Sequence, residues 1–191
     1  MSDHALKAAG IESALDRGVD PWGRRLFLQG EITDDSIALL IRGMYLIADL
    51  DQDRPIELYV CSEGGDIDAA MALHDVTRTI RAPVHTIALG YCMSAAPLLV
   101  ACGDARYASP NCSFMTHAAS LELGGHIDNV DATAKAVRRR CEQMDRLMAA
   151  YTERDYRHWA RLSKGAADRY FDAETAVEWG VVDSIWAEKS S

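Results

Sequence analysis

The stretch "PIELYVCSEGGDIDAAMALHDVTRTIRAPVHTIALG", residues 55–90, decides the fold. Two short apolar runs, 55–61 and 82–90, flank a segment whose apolar residues fall at 67, 70/71, 73/74, 76 and 80, close to helical spacing. The stretch therefore reads as strand, helix, strand. Such a succession needs a right-handed crossover and leaves the two strands parallel. Upstream, "RRLFLQGEI" (24–32) reads as a strand and "DDSIALLIRGMYLIADL" (34–50) as a helix. Thr33 suits the N-cap, and Asp34 and Asp35 suit the positive end of the helix dipole. Downstream, "SAAPLLVACG" reads as a helix starting at Ser94, "DARYAS" and "SFMTH" (113–117) as brief strands, and "VVDSIW" as a last strand after one long and one short helix. The expected class is α/β with a largely parallel sheet.

In such sheets, sites collect at the carboxyl ends of strands. Gly64–Gly65 end one strand and Ser94 ends the next, so neighbouring strands would bring them together. The glycine pair has two readings: a turn needing positive φ, or a backbone that must face a substrate closely. Ser94 likewise is either a small turn residue or a nucleophile. A serine hydroxyl is a poor nucleophile without a base, an acceptor to orient that base, and amides for the oxyanion. Ala95 and Gly65 are the candidate amide donors. His4, His74, His85, His117, His126 and His158 compete for the base. His117 ends a short strand and so can project into a cleft, whereas His74 and His85 fall in packing patterns. Asp172 precedes "AETAVEWG" and reads as a helix N-cap, which leaves Asp168, in the preceding loop, freer to act.

Bulk properties narrow the field. The chain has 191 residues, 49% of them apolar and 26% charged, enough for one soluble domain with its own core. A net charge of −9 excludes a broad nucleic-acid-binding face. No apolar run approaches the roughly 20 residues of a membrane span. Five dispersed cysteines without a CxxC read as thiols of a reducing cytoplasm, and no Cys/His cluster has metal-ligand spacing. No cofactor is expected. Residues 1–23 read as an N-terminal arm with no secretion signal, and 24–191 as the domain.

The long helix carries Val130, Ala134, Val137, Cys141, Met144, Met148 and Tyr151, a heptad seam, with Arg138–Arg140 and Asp145 on its other faces. Such a helix lies on its own domain or pairs with a partner subunit. The arginine run reads as a solvated face.

Taken together, "LFLQGEI", "LYVCSEGGDIDAAMALHDVTRTI", "TIALGYCMSAAPLLVACG", "RYASPNCSFMTH" and "DRYFDAETAVEWGVVDSI" resemble, in order, the proteolytic subunit family of the Clp protease. These are serine peptidases of the crotonase-like superfamily, and the resemblance includes phage-type relatives. It covers about Leu26 to Trp186. It implies a βαβ superhelix with a projecting handle helix, at about 127–160. Ser94 would be the nucleophile, His117 the base, Asp168 its orienting acid, and Gly65 and Ala95 the oxyanion donors. Gly64, Ala118, Leu123, Gly124 and Gly125 would bind extended substrate. It also implies a ring-forming homo-oligomer, stacked heptamers in the family, with an AAA-type ATPase unfoldase as candidate partner and protein or peptide as substrate. Glu63 stands where the family has proline, Ala95 where it has methionine, and Ala118–Ala119 where it has glutamine–proline. Three other readings stay open: a structural ring subunit without a competent site, a phage-type peptidase that trims assembly proteins, and acyl-CoA chemistry on the same superfamily fold.

Overall fold

A computed structural model describes residues 18–120, 126–165 and 167–186. In chain order the elements are β1 (Val19–Asp20), β2 (Arg25–Ile32), α1 (Asp34–Leu50), β3 (Ile56–Gly65), α2 (Ile67–Thr79), β4 (Val84–Met93), α3 (Ala96–Ala101), β5 (Ala105–Ala108) and β6 (Ser113–Thr116). They continue with α4 (Ile127–Tyr151), α5 (Tyr156–Leu162), β7 (Arg169–Asp172), α6 (Ala173–Glu178) and β8 (Ser184–Ile185).

β2, β3 and β4 are parallel neighbours, joined by α1 and α2 as the sequence requires. Alternation along the strands buries Leu26, Leu28, Ile56, Leu58 and Val60 on one face. Against that face α1 lays Ile37, Leu40, Met44 and Ile47, spaced by three and four residues. Thr33 and Ser36 close a reciprocal capping box at the start of α1. Asp66 caps α2 by accepting from Ala69 N–H at 2.8 Å. Val19 is buried and β1 pairs antiparallel with β2, so the described end of the expected arm is part of the sheet.

β4 is the branch point. Its first half, His85–Ala88, pairs with β5, and its second half, Tyr91–Met93, pairs with β6. Gly90, at φ +59°, sits at the change of partner. β6 in turn pairs antiparallel with β7. The branching keeps the end of β4 on β3, with Ser62 opposite Cys92, and sets it beside β6, the strand that leads to the candidate histidine.

Three element bounds differ from the sequence reading. β3 and β4 run on to Gly65 and Met93, because pairing with β2 and β6 continues past the glycines. The helix after Ser94 begins at Ala96 and spans six residues. The long helix ends at Tyr151, not near 160. Arg106 there donates to the Tyr151 and Gly180 carbonyls at 2.7 Å each, so the chain turns and Asp155 caps a separate α5.

Candidate active site

The carboxyl ends of β3, β4 and β6 meet at Ser94. The Ser94 N–H donates to the Met115 carbonyl at 2.8 Å, which ties the turn after β4 to the strand leading to His117. Ser94 Oγ and His117 Nε2 are 2.8 Å apart. Both residues are half-buried. The serine sits at φ +58°, a left-handed conformation that a non-glycine residue adopts at a cost. A sharp turn of this kind thrusts the hydroxyl out of the strand end, toward the imidazole.

Gly64 has the positive φ of the first reading, and its missing side chain makes room for the nucleophile turn. Its φ is +91°, and a Cβ there would lie 2.6 Å from Ser94 Cβ and 3.0 Å from Ala95 N. The glycine thus lets β3 approach the nucleophile turn directly. Gly65, at φ +144°, packs so tightly on Ile32 that a Cβ would meet its carbonyl oxygen at 2.3 Å. Among the described residues, no backbone or side-chain acceptor takes the Ala95 N–H.

Asp168 is not joined to His117. It is exposed and accepts a long hydrogen bond, 3.4 Å, from the Tyr170 hydroxyl. β6 and β7 pair with Ser113 opposite Asp172 and Thr116 opposite Arg169, and the same register continued by one residue sets Asp168 across from His117. Asp172 is the N-cap read from the sequence: its carboxylate accepts from Thr175 N–H at 2.8 Å, and bonding to Thr175 holds it below the usual carboxylate range.

A cleft of about 550 Å³ opens at the pair. Gly64, Gly65, Ser94, His117 and Ala119 line it, with Glu31, Glu63, Asp66 and Asp68 on one wall and Val137 and Arg140 on the other. Arg140 Nε reaches Asp68 Oδ1 at 2.6 Å, so one member of the arginine run latches α4 across the cleft. Ala118 lines a neighbouring cavity of about 590 Å³. Leu123, Gly124 and Gly125 lie outside the described residues.

The heptad residues of α4 are its least exposed face, half-buried from Val130 to Met144 and buried at Met148. One residue read as solvated departs from that reading. Asp145 is 6% exposed, because α5 packs over it and Ser163 Oγ donates to its Oδ1 at 2.7 Å. Burial pushes its carboxyl above the usual range, against the Ser163 hydrogen bond. No spacing signal marks it, since it sits one residue off the seam. The thiols of Cys92 and Cys102 are pushed up by burial, the latter to about 12, so both stay protonated and unreactive. Among the described residues no group of His, Cys, Asp and Glu could hold a metal ion, and no helix is long and apolar enough to cross a membrane.

The family described as Clp protease matches residues 22–189. An ATP-dependent Clp protease proteolytic subunit 2 of Treponema denticola is 31% identical over 164 residues, covering 85% of this chain and 81% of that protein. An ATP-dependent Clp protease proteolytic subunit 3 of Streptomyces avermitilis is 33% identical over 165 residues, covering 85% and 74%.

Proposed function

The chain belongs to the Clp protease family and is a serine-type peptidase, and from that premise we propose that Ser94, His117 and Asp168 form its catalytic triad for cleaving peptide bonds inside an oligomeric chamber. The observation that carries the reading is the 2.8 Å contact between Ser94 Oγ and His117 Nε2 at the mouth of the cleft. Neutral His117 takes the hydroxyl proton as Oγ attacks the substrate carbonyl. The Gly65 and Ala95 amides receive the oxyanion. Collapse expels the amine, which leaves with the proton from His117, and an ester to Ser94 remains. Water, deprotonated by His117, hydrolyses that ester. Asp168 accepts from His117 Nδ1–H after its side chain turns from Tyr170, a rotation within reach of a cross-strand neighbour.

Self-association is supported by large apolar side chains left exposed on the described surface, Trp22, Tyr45, Leu46 and Leu50, at 50–67%. The half-covered seam of α4 is a second such face. The names of the two relatives, ATP-dependent and subunit, support an assembly that works with an ATPase; a ring, an AAA-type ATPase and a cytoplasmic location belong to the same proposal.

The exposed Asp168 is the observation that favours the other reading, a structural subunit without a competent site. Hydrolysis of a fluorogenic peptide by the assembled protein separates the two. Wild type should turn over, and Asp168→Asn should lose about 10³-fold or more in kcat. Turnover untouched by that substitution would remove Asp168 from the triad. Absence of turnover in the assembled wild type would favour the structural subunit.

A further inference from the structure

Behind the Ser94–His117 pair is a recess with charge at its floor. A narrow void of about 10 Å³ is bordered by Ser94, His117, Thr116, Met144, Asp145 and Ser163. Asp145 and Ser163 also border the cavity of about 590 Å³. That cavity shares Ala119 and Val137 with the cleft at the nucleophile. The cleft at the serine and this cavity therefore adjoin at Ala119 and Val137, and the cavity runs on past Cys141 to a carboxylate.

Three features of that floor point to a cationic occupant. Asp145 is the one carboxylate among the described residues that is buried, and a single hydroxyl hydrogen bond engages it. A carboxylate accepts about four, so most of its capacity is unused. Among the described residues no ion pair involves it; Arg138, Glu142 and Lys164 stand at the exposed rim of the cavity. Independently, Thr116 Oγ1 is buried without a hydrogen-bond partner and borders the same void. A buried carboxylate and an orphaned hydroxyl oxygen together accept what an ammonium or guanidinium donates.

We propose that Asp145, backed by Thr116 across the narrow void, is the floor of the recess that receives the substrate side chain on the acyl side of the scissile bond, and that the enzyme prefers lysine or arginine there. The aliphatic stem lies along Val137 and Cys141, and the cation reaches Asp145. The inference rests on Ser94 being the nucleophile, since the recess adjoins it.

The test uses the assembled full chain and fluorogenic peptides that differ only at that residue. Wild type should cleave after arginine and lysine with kcat/KM about ten-fold or more above leucine and phenylalanine. Asp145→Asn should lower the basic peptides about ten-fold and bring the ratio toward one, whereas Asp145→Glu should retain a basic preference. A wild-type preference for leucine or phenylalanine, or a ratio unchanged in Asp145→Asn, would overturn the proposal. A second arm needs no turnover. Ser94→Ala protein is titrated calorimetrically with acetylated tetrapeptides ending in arginine or leucine. Tighter arginine binding, lost when Asp145→Asn is added, supports the assignment, and equal binding contradicts it. If no peptide is cleaved but arginine-selective binding persists, the peptidase reading fails and with it the acyl-side assignment, while Asp145 stands as the ligand of a cationic side chain.

Discussion

Arg24 and Ser94 share an unusual backbone. They are the two non-glycine residues with positive φ among those described, at +57° and +58°. Their side chains explain the strain differently. The buried Arg24 guanidinium donates to four carbonyls, those of Ile47, Asp51, Arg54 and Pro55, and so binds the end of α1 to the start of β3. The Ser94 side chain clips nothing together; its hydroxyl meets one imidazole in an open cleft. Strain alone therefore marks no function. The partner of the side chain decides whether a left-handed residue is a fastener or a nucleophile.

Glycine at each position separates the two roles, because it removes the strain and the side chain together. The largest expected effect is on catalysis: Ser94→Gly should lose about 10⁵-fold or more in peptidase kcat, with thermal unfolding unchanged or shifted slightly upward. Arg24→Gly should instead lose about 3 kcal/mol or more in denaturant unfolding, since four carbonyls lose a charged donor. Its kcat per folded molecule should match wild type. A catalytic defect in folded Arg24→Gly would break the contrast. Gly64→Ala sharpens it further. A Cβ against Ser94 and a positive φ should cut kcat by about 10²-fold while the protein still unfolds cooperatively.

The smallest effect is at Asp145. Burial raises its carboxyl, so the folded protein bears a cost for the ionised form. That cost is fully present above the raised value and vanishes below about pH 4, the range of an unfolded carboxyl. Asp145→Asn should therefore raise Tm slightly at neutral pH, and the gain should shrink on acidification. A gain that grows on acidification would contradict the sign.

The local signals were legible in the sequence. Strand–helix–strand periodicity locates β2, α1, β3, α2 and β4, Thr33 and Asp172 cap their helices, and the heptad positions are the least exposed face of α4. Ser94 and His117, 23 residues apart in sequence, lie 2.8 Å apart, Oγ to Nε2. What was hidden depends on neighbours. The glycines at 64 and 65 look like strand breakers, yet Glu31 and Ile32 keep pairing with them. The long helix stops at Tyr151 because Arg106, 45 residues away, satisfies its end. Asp145 reads as solvated until α5 covers it. The antiparallel β6–β7 pairing, whose register extended by one residue sets Asp168 across from His117, carries no signal in either four-residue strand.

The most direct test of the central claim, that Ser94 is an activated nucleophile, is the mass of the peptide containing residue 94 after exposure of the assembled protein to a fluorophosphonate. The adduct should map to Ser94 and be absent in both Ser94→Ala and His117→Ala. An unmodified Ser94 in folded, assembled protein, or labelling that persists at the same rate without His117, would contradict it.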